Sequence, residues 1–129
     1  MNKEFVPYEQ ALELKELGFD EKCFAWYHKG WLTFSEMYNL PDVNEHPRNV
    51  FAPLYQQAFR WFREKHNIDS WICRFQLEGE IKHKYKWEIQ SDDTHAWRII
   101  GNSYEETELA CLNKLIELKK IIKLKTNKL

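Results

Sequence analysis

The stretch from Trp71 to Ile100, WICRFQLEGEIKHKYKWEIQSDDTHAWRII, decides the fold. Trp71, Cys73, Phe75 and Leu77 alternate with Ile72, Arg74 and Gln76, and Glu78-Gly79-Glu80 reads as a turn. Beyond it Ile81, His83, Tyr85, Trp87 and Ile89 alternate with Lys82, Lys84, Lys86, Glu88 and Gln90. A polar turn over Ser91–Thr94 leads to a third strand, His95–Ile100. Period-two alternation of this kind predicts an antiparallel meander with one apolar and one polar face. The buried set expected from it is Trp71, Cys73, Phe75 and Leu77, with Ile81, His83, Tyr85, Trp87, Ile89, Trp97 and Ile99.

On the C-terminal side Ser103 precedes Glu106 by three residues, the spacing of a helix-opening capping box. Ala110, Cys111, Leu112, Leu115, Ile116, Leu118 and Ile122 then form a stripe wide enough to cover a sheet face. Lys119, Lys120 and Lys123 fall where a helix C-terminus favours cations, and Lys125–Leu129 is expected to fray. On the N-terminal side Pro53 opens a helix over Leu54–His66, with Trp61 and Phe62 read as core. Tyr38–Pro53 holds three of the four prolines and reads as a long loop. Before it, two β-prone runs, Cys23–Tyr27 and Trp31–Phe34, flank Lys29-Gly30 as a hairpin, and Pro7 to Gly18 delimits a short first helix.

The fold class read from this order is α+β: an antiparallel sheet, hairpin plus three-stranded meander, covered by helices on one face, in the order α-β-β-α-β-β-β-α. A length of 129 residues predicts a single domain. Its parts are helix plus hairpin over 1–40, loop over 41–53, helix, meander and helix over 54–120, and a frayed basic tail over 121–129.

Twenty aromatics and few glycines and prolines exclude a disordered chain. No apolar run approaches the ~18 residues of a membrane span, and the N-terminus lacks signal-peptide character, so the expected setting is cytoplasmic with no membrane partner. Three widely spaced cysteines, Cys23, Cys73 and Cys111, read as free thiols. Cys73, His83 and Cys111 would supply three metal ligands at most with no acid beside them, so neither a metal nor a cofactor is expected. Phosphate loops, nucleophile elbows and His-Glu-x-x-His motifs are absent from the sequence, which predicts a protein without catalytic residues.

Two candidate surfaces remain. Residues 1–50 carry five basic and nine acidic groups, residues 51–129 fourteen and eleven, so the C-terminal part is the one suited to an anion. Alternation places Arg74, Lys82, Lys84, Lys86 and Arg98 on the polar face of the meander, and Lys119 and Lys120 at the helix end extend that set. Such a patch would contact nucleic-acid backbone, although a Lys-rich face also serves solubility. The second candidate is aromatic: Trp26, Tyr27 and Trp31 around the hairpin with Tyr38 and Phe51 at the ends of the loop. These would suit a host protein, a second copy of the chain or a small planar ligand.

Three segments, FVPYEQALELKELGFDEKCFAWY from Phe5, FAPLYQQAFRWFREKH from Phe51 and SYEETELACLNKLIEL from Ser103, resemble small proteins encoded by phages and prophages of Bacteroides-type gut bacteria. The resemblance implies a mobile-element origin and an intracellular setting, and transfers no catalytic residue. In topology, helix, three strands and helix over Leu54–Leu118 resemble double-stranded RNA-binding domains, and the strands plus last helix resemble the DNA-binding arms of phage integrases. The former hold phosphates with basic residues at the start of the last helix, where this chain has Glu105, Glu106 and Glu108. In the latter the sheet enters the groove, which implies a similar role for the five cations of the meander.

Overall fold

The computed structural model describes residues 2–34 and 49–127. The chain is α+β, with three α-helices and two three-stranded antiparallel sheets among those residues. The elements are α1 (Tyr8–Glu16), β1 (Ala25–His28), β2 (Trp31–Phe34), β3 (Asn49–Ala52), α2 (Tyr55–His66), β4 (Asp69–Phe75), β5 (Lys84–Gln90), β6 (His95–Gly101) and α3 (Tyr104–Asn127). Cα packing divides the chain into two compact units, Met1–Ala58 and Phe59–Leu129, with the division inside α2. Each unit builds its own sheet. No helix among the described residues is long and apolar enough to cross a membrane.

In the N-terminal unit Pro7 caps α1, and Lys29 and Gly30 turn β1 into β2 with φ of 52° and 84°. Two successive left-handed residues are what a two-residue hairpin between right-twisted strands requires, and Gly30 adopts that conformation without strain. The sheet order is β2-β1-β3. β3 corrects the expected loop: its last part, Asn49–Ala52, pairs with β1, Trp26 opposite Phe51 and Tyr27 opposite Val50. The short run NVFA carries two large apolar residues with no flanking turn signal after it but Pro53, so propensity alone does not reveal it. Residues 38–48 of that expected loop lie outside the described residues. The core of the unit gathers Val6, Ala11, Leu14, Phe19, Ala25, Tyr27, Val50 and Ala52.

In the C-terminal unit the sheet order is β4-β5-β6, and α3 packs along one face of it. Trp87 and Ile89 on β5 are buried with Cys111, Leu112, Leu115 and Ile116 of α3, and Tyr85 meets Tyr104 edge to face at 5.6 Å. Ser103 Oγ accepts the Glu106 amide at 3.2 Å as its spacing predicts, and its hydroxyl faces the Glu105 carboxylate at 3.3 Å. α3 runs on through Asn127, into the segment 121–129 expected as a tail, of which residues 128 and 129 lie outside the described residues: the run from Ile121 to Thr126 contains no Gly or Pro to end the helix.

The covered face of this sheet is not the one that alternation suggested. Leu77, Ile81 and His83 lie outside the strands, because residues 76–83 form an eight-residue connection instead of a three-residue turn. Gly79, at φ 82°, turns it, and the Gln76 amide donates to the carbonyls of Glu80 and Ile81. With that connection Phe75 pairs with Lys84, Cys73 with Lys86 and Trp71 with Glu88, so odd residues of β4 share a face with even residues of β5. The four-residue Ser91–Thr94 loop does the same to β6: Trp97 stands opposite Glu88 and Ile99 opposite Lys86. Trp71, Cys73, Phe75, Trp97 and Ile99, expected in the core, therefore stand on the face opposite Trp87 and Ile89.

Candidate functional site

The face of the meander turned away from Trp87 and Ile89 is ordered in rows across three strands. One row is Trp71, Glu88, Trp97; the next is Cys73, Lys86, Ile99; Phe75 and Lys84 begin the third. Trp71 is 39% exposed, Trp97 58% and Ile99 40%. A sheet face normally exposes polar side chains and buries such rings, so two half-open tryptophans on one face are the feature to explain.

Charges occupy the central strand between the rings. Lys86 Nζ bonds Glu88 Oε1 at 2.9 Å and lies 5.4 Å from the centre of the Trp97 ring and 6.0 Å from that of Phe75. Glu88 Oε2 is 3.6 Å from His95 Nε2, and the Cys73 thiol lies 4.0 Å from Oε1. The Lys86 hydrogen bond, aided by His95, holds the Glu88 carboxyl below its usual range and so keeps it ionised. Lys84 pairs with Glu80 at 3.4 Å across the start of the strand. The face is thus aromatic at its flanks, with oppositely charged groups side by side along its middle.

The predicted cationic patch is not assembled. Lys84 and Lys86 share the open face, but Arg74 stands opposite Tyr85 and Arg98 opposite Trp87, on the side of the sheet that α3 covers. Lys82 lies in the 76–83 connection, beyond β5. Parity is again the cause: with odd residues of β4 and β6 facing even residues of β5, arginines at 74 and 98 cannot join lysines at 84 and 86. Lys119 and Lys120 lie on α3, which packs on the other face.

The aromatic set around the hairpin is also divided. Tyr27 is core, not surface: its hydroxyl donates to the Val6 carbonyl at 2.7 Å, its ring meets Tyr8 at 5.4 Å, and burial pushes its pKa up. Its cross-strand partner on β3, Val50, is equally buried, which fixes the face. Trp26 and Phe51 are cross-strand neighbours on the opposite face, and Trp31 is exposed one row further along, beside His28. Tyr38 lies outside the described residues.

The thiol and imidazole cluster does not form either: Cys73 is on the open face, Cys111 is buried on α3, which packs on the other face, and His83 is in the connection. No group of three metal-ligating side chains occurs among the described residues. Alternation alone puts Trp71, Phe75 and Trp97 in the wrong layer and leaves Glu88 a mere counter-charge. The lengths of the two connections, eight residues and four, are the signal that places them. No family model, curated protein or solved structure matches the chain.

Proposed function

We propose that the protein is a binding module without catalytic residues that takes single-stranded nucleic acid on the open face of the β4–β6 meander. The observation that carries this reading is the row Trp71–Glu88–Trp97, in which two exposed rings flank a charged central strand. Every base has a π-face, so rings on an open sheet stack bases of any sequence, while Lys84 at the start of β5 meets a phosphate. Duplexes hide those base faces, and single strands are therefore the favoured form.

Magnitudes separate this reading from backbone tracking by a five-cation patch. For single strands the salt slope is ~0.7 per neutralised phosphate, so five cations would give about −3.5. Lys84 alone gives about −0.7, and even with Lys86 added the slope reaches only about −1.4. Stacking supplies the remainder at ~1–3 kcal/mol per base.

The test is fluorescence anisotropy of a labelled 10-residue DNA strand at several salt concentrations, free and as a duplex. The single strand binds more tightly than the duplex, with a shallow salt slope. Trp71→Ala with Trp97→Ala weakens it by at least ten-fold at unchanged circular dichroism. A slope of about −3.5 insensitive to the two tryptophans, or no binding at low salt, overturns the reading.

A further inference from the structure

We infer that the Lys86–Glu88 pair makes this surface selective for guanine. The inference rests on the reading of the open face as a stacking surface and adds to it a residue that chooses among bases. A bare aromatic platform is indifferent to sequence. Here, however, a carboxylate stands between the two rings, opposite Trp71 on one side and Trp97 on the other. Adjacent strands are ~4.8 Å apart, so a base stacked on either ring brings its edge over the central strand.

The chemistry at that edge is specific. A carboxylate only accepts hydrogen bonds and has about four lone-pair sites on its two oxygens. Lys86 occupies one of them on Oε1, and the Glu88 side chain remains 18% exposed on the open side. Guanine presents two adjacent donors, N1–H and the N2 amino group, followed by the acceptor O6. The donors match the two oxygens of a carboxylate in the bidentate manner, and O6 matches an ammonium beside it. Glu88 and Lys86 are two residues apart on one strand face and 2.9 Å from each other, which supplies that carboxylate and that ammonium side by side. Adenine offers the carboxylate one amino donor beside the acceptor N1 and so makes a single hydrogen bond to it, while thymine and uracil turn carbonyl oxygens toward the carboxylate on both sides of their single donor. His95, facing Oε2 at 3.6 Å, and the Cys73 thiol, at 4.0 Å from Oε1, are the other donors around Glu88, and a guanine edge seated there replaces these two longer contacts with its N1–H and N2–H.

The experiment compares labelled ten-residue DNA strands of alternating thymine and guanine, thymine and adenine, and thymine and hypoxanthine. Hypoxanthine differs from guanine only in lacking the N2 amino group, so it isolates one of the donors without altering the protein. The guanine strand binds roughly ten-fold tighter than either of the others, the discrimination expected of a bidentate pair. Glu88→Gln brings the three affinities within about two-fold of each other, and Lys86→Gln narrows the gap between guanine and adenine. Equal binding of the guanine and hypoxanthine strands by the unaltered protein, with loss on Trp97→Ala, overturns the guanine inference and leaves the stacking surface standing. Binding of none of the strands overturns both.

Discussion

Glu108 sits in the second turn of α3, half-buried, with Glu105 one turn before it. Burial chiefly, and the Glu105 charge in addition, push its carboxyl from 4.5 up to about 7. The folded protein therefore keeps a proton on Glu108 between pH 4.5 and 7 that the unfolded chain has released, and stability falls as pH rises through that window. His66, whose pKa is lowered by burial and by Lys119, acts in the opposite sense around neutrality, since its unfolded form binds the proton more readily. Glu108→Gln removes the first effect alone. Urea unfolding should show the variant more stable than the parent at pH 8, on the order of 1–2 kcal/mol once solvent screening of a half-open group is allowed for, with the difference shrinking towards pH 5. An equal gain at both pH values would mean that the carboxyl titrates normally.

At the scale of single elements, the cap of α3 illustrates what local sequence can specify. Ser103 and Glu106 sit three residues apart, and the hydroxyl accepts the amide as that spacing requires. Ser103→Ala should lower stability by about 1 kcal/mol and the melting midpoint by about 3–5 °C, read by circular dichroism. The hairpin at Lys29-Gly30, the start of α1 at Pro7 and the core positions of Trp61 and Phe62 were legible for the same reason: each is determined by residues within a few positions of it. The faces of β4 and β6 were not, because they depend on how many residues separate two strands, and neither connection carries a residue pattern that fixes its length, the first holding Leu77 and Ile81 at strand-like spacing. Period two located the three strands, extended β4 and β5 into the connection between them, and assigned β4 and β6 the wrong faces because the connection lengths leave those faces ambiguous. That one ambiguity displaced Arg74 and Arg98 from the candidate surface and brought Trp71 and Trp97 to it.

For the molecule as a whole, the three cysteines give a readout of both units and of the open face together. Burial pushes the Cys23 and Cys111 thiols up to about 12, so neither supplies thiolate near neutral pH in the folded state. Cys73 is partly exposed, in the row beside Lys86. A thiol reagent such as a disulfide dye should modify one cysteine per chain quickly in native buffer and three in denaturant. A single-stranded ligand seated across Trp71 and Trp97 should slow that first reaction several-fold. Rapid reaction of two or three thiols in native buffer would contradict the packing of Cys23 in one unit or of Cys111 in the other.

The hairpin loop from Ser91 to Thr94, closed by the Ser91 amide on the Thr94 carbonyl at 2.8 Å, carries a consequence for descent. Loops diverge by gaining and losing whole codons, and alternation across a strand has a period of two. Loss of a single codon here would oblige β6 either to change its pairing or to turn Trp97 inward and Ala96 out, whereas loss of two would leave every side chain of β6 on its present side. Relatives that keep the paired tryptophans should accordingly differ in this loop by even numbers of residues.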